Sequence, residues 1–217
     1  MNTPDNIAAF RAALDAAEQS DDPYRHWKLT NILDEAVIDG LLTLPVAVWS
    51  NDYETGAREE HNDNRIYLDR ANIESSPACR ATAETLQSPE TIKALEDLCG
   101  TGLGGTQLRV EYTNDRTGFW LKPHTDIGVK MFTMFIYLSR EADGADWGTD
   151  IYRNADDHAF RLPFHSNQGM IMIPANDTWH GFQPRPIAGV RRTLIVNYVT
   201  DQWRAREQLA FPDQPIQ

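Results

Sequence analysis

A mainly β fold with helices gathered at its N-terminal end is what this 217-residue sequence predicts. Two patterns carry that expectation. From about residue 105 onward, short runs rich in β-branched and aromatic residues recur, separated by clusters of Gly, Asp, Asn and Pro. Such spacing is that of an antiparallel sandwich or barrel. Before residue 100 the apolar residues instead recur three and four apart, the period of a helix buried on one side.

The first helix places Ile7, Phe10, Leu14 and Ala17 on one face, and a second, through LDEAVIDGLLTL, does the same with Leu33, Val37 and Leu41. A third has clear ends. Ser88 can cap it, Pro89 suits its first turn, Glu90 favours its positive end and Gly100 stops it, with Ile92, Leu95 and Leu98 as its apolar side. Between the second and third lies the polar stretch NDYETGAREEHNDNRIYLDR, expected to be a loop with a short strand at Arg65–Leu68. The strands that follow are QLRVEY, GFWLKPH, KMFTMFIYLS, GTDIYR, HAFRLPF, GMIMIP, WHGFQ and RTLIVNYV. No flexible linker separates the halves. Residues 1–104 are therefore expected to brace, as helices plus a short strand, a β-core over 105–217 in one compact unit.

Composition narrows the function classes. A net charge of −12 and the absence of any Lys/Arg run argue against nucleic acid, whose phosphates such a chain repels. The polar, acidic N-terminus lacks the basic and apolar regions of a signal peptide, and no stretch approaches the length of a membrane span. A cytoplasmic protein with no membrane partner is the expectation. Cys79 and Cys99, with no C-x-x-C pair, read as reduced core thiols. Nothing in the pattern sets the oligomeric state.

The chemistry concentrates in His124-Thr125-Asp126 and the later His180. Two histidines and one carboxylate on one side of a mononuclear iron(II) leave three coordination positions open for other ligands. In a strand, residues 124 and 126 point the same way, and His180 is far enough along to come from a later strand. H-x-D alone is a weak signal, since His61-Asn62-Asp63 also matches it. That second match sits in a polar context without strand pattern and reads as a loop histidine. His26, His158 and His165 lack a carboxylate two residues on.

The order of motifs adds weight. VEYTNDRTGFWLKPHTD, then KMFTMFIYLS, then Gly148-Thr149, then WHGFQPRPIAGVRRTLIVNYV resembles the metal-site strands of the prolyl-4-hydroxylase-like iron(II)/2-oxoglutarate dioxygenases over roughly residues 105–200. The resemblance implies a double-stranded β-helix of jelly-roll, cupin-like form. It implies iron(II) on His124, Asp126 and His180, with 2-oxoglutarate and O₂ as co-substrates. A cation must then grip the far carboxylate of 2-oxoglutarate, and the planar fork of an arginine suits that task. Arg191 lies eleven residues after His180, and Thr193 shares its strand face, whereas a one-residue slip would make Arg192 the binder. The resemblance also puts Tyr112 and Tyr137 in this pocket, and Asn197 falls on the face of Arg191. Asp126 fills the position that is Gly or Ala in related halogenases, so hydroxylation is implied rather than halogenation.

Substrate contacts are expected from Arg65, Tyr67, Arg109, Trp120 and the acidic loop Glu141–Asp146. The two arginines suit an anionic or amino-acid-like small molecule. Trp147 and Trp179 read as core residues. Two other readings stay open: a zinc hydrolase, for which no H-E-x-x-H is present, and a non-catalytic barrel that binds a metal or small molecule.

Overall fold

The computed structural model describes residues 3–46, 55–57, 65–140 and 146–217. The second H-x-D at 61–63 and loop residues 141–145 lie outside them. The N-terminal part contains α1 (Thr3–Asp15), β1 (Glu18–Ser20), β2 (His26–Thr30), α2 (Glu35–Leu42), β3 (Arg65–Tyr67), α3 (Arg70–Ser75), α4 (Pro77–Gln87) and α5 (Pro89–Cys99). The rest is β4 (Gln107–Asp115), β5 (Leu121–His124), β6 (Lys130–Tyr137), β7 (Asp150–Asn154), β8 (Asp157–Arg161), β9 (Gln168–Met172), β10 (His180–Phe182) and β11 (Arg191–Val199). Each of the eight runs expected after residue 105 is a strand. Among the described residues, no helix is long and apolar enough to cross a membrane.

The strands form two antiparallel sheets, one ordered β1-β2-β9-β6-β11-β4-β3 and the other β5-β10-β7-β8. Alternation along the three central strands of the larger sheet decides what each face does. Leu108, Val110 and Tyr112 of β4, Phe132, Met134 and Ile136 of β6, and Leu194, Val196 and Tyr198 of β11 face the helices. There they meet Phe10, Ile38, Leu41, Leu86 and Leu95, all essentially inaccessible to water. Tyr198 donates its hydroxyl to the carbonyl of Leu86 at 2.6 Å, which ties β11 to α4. On the other face Phe135, Tyr137, Met170 and Met172 pack against Ile151, Phe164 and Phe182, and this second core joins the sheets.

The helix ends follow their local chemistry. The Ser88 hydroxyl accepts from the Thr91 N–H at 3.2 Å, Pro89 opens α5, and Gly100 closes it at φ 67°. Cys79 and Cys99 are buried, unpaired thiols, and burial pushes Cys99 up to about 12.

The N-terminal part differs from the bracing region expected for 1–104. It supplies β1 and β2, and β2 pairs along its length with β9. It also contains α3 and α4, which were not anticipated. β2 is five residues long, too short for a strong period. α4 turns mainly small residues inward, Ala78, Cys79, Ala81, Thr82 and Ala83 among them. That weakens an apolar pattern and lets the helix lie close to the sheet.

Gly169 sits where β9 passes β6. A Cβ there would come 1.9 Å from the Phe135 carbonyl oxygen. Gly169→Ala is expected to cost about 3 kcal/mol, the upper range for overpacking, and to lower Tm by roughly 6–12 °C in a chain of this size. Thermal unfolding followed by circular dichroism checks this, and an unchanged Tm would mean the strands can separate without penalty.

Candidate metal centre

β5 and β10 pair antiparallel with His124 directly opposite His180, and their ring centroids are 4.4 Å apart. Gly181 permits the approach, because a Cβ there would lie 2.7 Å from the Leu121 carbonyl oxygen. Asp126 follows β5 in the turn that leads to β6. One ligand atom from each of His124, Asp126 and His180 lies within 4.8 Å of the others.

The donors suit a divalent metal. His124 Nδ1 lies 3.0 Å from the Lys122 carbonyl, and His180 Nδ1 lies 3.0 Å from the Thr178 carbonyl. A carbonyl only accepts, so each Nδ1 carries the proton and each Nε2 keeps its lone pair for a metal. Burial, reinforced by neighbouring His180, pushes His124 down to about 3. Burial likewise lowers His180 despite the opposing charge of Asp126. Both rings are therefore neutral at neutral pH. Burial alone would raise the Asp126 carboxyl. The Lys130 ammonium, at 2.5 Å from one oxygen, and the Thr133 hydroxyl, at 2.6 Å from the other, outweigh it and hold the group ionised.

A cavity of about 60 Å³ opens beside this cluster and runs inward between the sheets. Apolar walls come from Phe119, Leu121, Phe135, Phe182 and Ile195. At its inner end Arg191 lies on the cavity side, while Arg192 occupies the alternate strand position and does not line it. The Arg191 guanidinium donates to Asp115 at 2.6 Å and to the Trp147 carbonyl at 2.6 Å, with Thr149 Oγ1 more distant at 3.5 Å. Thr193 also lines the cavity, and its buried hydroxyl has no hydrogen-bond partner among the described residues.

Two tyrosines depart from expectation. Tyr112 alternates with Glu111 and Thr113, which face the cavity, so its ring enters the helix-side core and does not line the pocket. Tyr137 stands one layer behind the cavity wall. Its hydroxyl donates to Thr149 Oγ1 and accepts from the Thr149 N–H, each at 2.9 Å. Asn197 does reach toward the ligands, since its amide donates to Thr133 Oγ1 at 2.9 Å and Thr133 holds Asp126.

Among the expected substrate contacts, Arg65 lines the cavity and is ion-paired with Glu111. Arg109 is fully buried between the Tyr67 and Trp203 rings and bonds Glu111, Gln208 and Asn197, so no substrate can touch it. Trp120 packs on Gly56, and Trp147 belongs to the inter-sheet core. Trp179 is half-buried, and its carbonyl accepts from Tyr24. Asp146, the described end of the acidic loop, is paired with Arg161. Sequence reasoning missed Lys130, Thr133, Thr149 and Asp115. The signal for Asp115 was present, since Gln107, Arg109, Glu111, Thr113 and Asp115 form one polar face of a strand whose other face begins with Leu108, Val110 and Tyr112.

Two sheets joined by an apolar core, with a two-histidine, one-carboxylate cluster on the paired ends of β5 and β10, define a 2-oxoglutarate/iron(II) oxygenase-like fold. Solved structures carry the same fold. A Pseudomonas putida prolyl-4-hydroxylase aligns over 89% of this chain and 98% of its own, with TM-score 0.57 and 14% identity. A Burkholderia pseudomallei oxidoreductase of the 2-oxoglutarate/iron(II) oxygenase family aligns over 92% and 91%, with TM-score 0.56 and 17% identity. A Phytophthora capsici prolyl 4-hydroxylase aligns over 93% of this chain and 66% of its own, with TM-score 0.58 and 13% identity. No protein-family model matches the sequence, and no curated protein matches it by sequence. The likeness is one of fold.

Thr133→Val keeps the side-chain volume and removes the hydroxyl that orients Asp126. It is expected to weaken divalent-metal binding by about 10–100-fold, the usual effect of losing a group that orients a ligand. Titration with Mn(II) measures it, and an affinity within twofold of the unaltered protein would rule the hydroxyl out.

Proposed function

We propose that this chain is an iron(II)/2-oxoglutarate-dependent oxygenase that hydroxylates a small-molecule substrate. Its two antiparallel sheets support a double-stranded β-helix core. The single observation that carries the reading is the preformed donor set: two neutral imidazoles with free Nε2 lone pairs and an ionised carboxylate, all within 4.8 Å. Three protein ligands on one side leave room for a chelating co-substrate and O₂. When bound, iron and 2-oxoglutarate supply the oxidising chemistry, in which O₂ and the co-substrate give succinate, CO₂ and a hydroxylated C–H bond.

The residues around the cavity support the same assignment. His124, Asp126 and His180 would hold the metal. Arg191 and Thr193 would receive the distal carboxylate of the co-substrate, and the Thr193 hydroxyl, without a partner among the described residues, suits an anionic acceptor. Thr149 stands beside Arg191, backed by Tyr137. The apolar walls of the cavity would limit water around a bound co-substrate. Arg65, ion-paired with Glu111 at the cavity wall, is the cation that an anionic or amino-acid-like substrate would meet.

Anaerobic addition of iron(II) and 2-oxoglutarate is expected to produce a weak visible charge-transfer band, which zinc with its filled d shell does not give. With O₂ admitted, succinate release should rise when amino acids, their derivatives and small metabolites are screened as substrates. Asp126→Ala is expected to abolish both signals. A band or turnover that survives this substitution would exclude the assigned metal centre.

A further inference from the structure

We propose that Asp115 is a built-in competitor for the distal carboxylate of 2-oxoglutarate, and that it sets how tightly the co-substrate binds. The proposal rests on the oxygenase reading and adds to it a residue that the motifs do not assign.

The inner end of the cavity already contains a carboxylate. Asp115 Oδ2 lies 2.6 Å from Arg191 Nη1, and both side chains are almost wholly buried, at 4% and 7% exposure. Arg191 Nε is committed to the Trp147 carbonyl at 2.6 Å. Only Nη2 has a weak engagement, 3.5 Å from Thr149 Oγ1. A dicarboxylate that seeks the paired N–H groups of this guanidinium must take Nη1 from Asp115 or share it. Sharing sets two carboxylates against one cation in a low-dielectric space, where like charges repel strongly. Asp115 is also tethered, being the β4 residue directly across from Arg191 on β11. It therefore competes at a high effective concentration.

The fold offers Asp115 a second cation. Arg65, itself ion-paired with Glu111, lines the same cavity, and Glu111 and Asp115 both favour its charged form against the cost of burial. Co-substrate entry then becomes an exchange in which the distal carboxylate takes Arg191 and the Asp115 side chain turns toward Arg65. A 2-oxo acid without a distal carboxylate makes no demand on Arg191 and leaves Asp115 in place.

Calorimetric titration of the Mn(II)-loaded protein, unaltered and as Asp115→Asn, tests this with 2-oxoglutarate and with 2-oxobutyrate. The expected result is 2-oxoglutarate binding tightened at least fivefold by Asp115→Asn, with 2-oxobutyrate binding unchanged. Weaker or unaltered 2-oxoglutarate binding overturns the proposal, because Asp115 would then serve only to position Arg191. An equal change for both acids overturns it as well. Asp115→Ser gives the same comparison should Asp115→Asn fail to fold. If neither acid binds to any of the proteins, the oxygenase reading fails and the proposal with it.

Discussion

The two-residue alternation of β4, β6 and β11 governs the molecule. These strands lie side by side in the larger sheet, so each cross-strand row is either all toward the helices or all toward the cavity. On the helix side three rows, Tyr112–Leu194–Ile136, Val110–Val196–Met134 and Leu108–Tyr198–Phe132, are buried in the helix-facing core. On the cavity side the rows read Thr113–Thr193–Tyr137, Glu111–Ile195–Phe135 and Arg109–Asn197–Thr133. The helices thus anchor the sheet by hydrophobic burial, which is non-directional and tolerant of substitution. The opposite face is left to hold polar groups in fixed places. A slip of one residue in any of these strands would exchange the two faces, so the same burial that stabilises the fold also fixes the register of the site.

Charge inside the cavity is managed by local pairing. Arg65 bonds Glu111, Arg191 bonds Asp115 and Lys130 bonds Asp126, each in a buried setting. Removing one member of such a pair leaves an uncompensated buried charge, which costs about 3–5 kcal/mol. The pairs therefore hold the side chains of the site in place. A side-chain chain also links the ligand Asp126 to Thr133, Asn197 and Arg109, so that the carboxylate is oriented from β6 and β11 as well as from its own turn.

Much of this was legible in the sequence because it rests on local rules. Ser88, Pro89 and Gly100 bound α5 through capping chemistry that needs no tertiary partner. The eight late strands announced themselves by composition and punctuation. The pairing of His124 with His180 was readable only as an order of motifs, since nothing local says which strands meet. The misplacements share one cause. Tyr112 was assigned by analogy with a family pattern, although its own strand places it with Leu108 and Val110, against the polar set of Arg109, Glu111 and Thr113. Arg109 carries a charge that suits a substrate, yet two aromatic rings and three polar partners enclose it. Residue type suggested the role, and packing decided it. α4 escaped notice because its buried face is built from small residues.

Lys130 links the electrostatics to function under the oxygenase reading. Its ammonium stabilises the Asp126 carboxylate and so holds this donor ionised and oriented. A divalent ion held by Asp126 would share that carboxylate with the Lys130 ammonium, and like charges in a buried setting repel. Metal binding alone therefore adds positive charge to a cavity whose pairs were already balanced. A dianionic co-substrate relieves that excess. By linkage, whatever each gains from the other must be equal in free energy. Metal and co-substrate are thus expected to favour one another, and the cavity's own charge pairs are what make the coupling favourable.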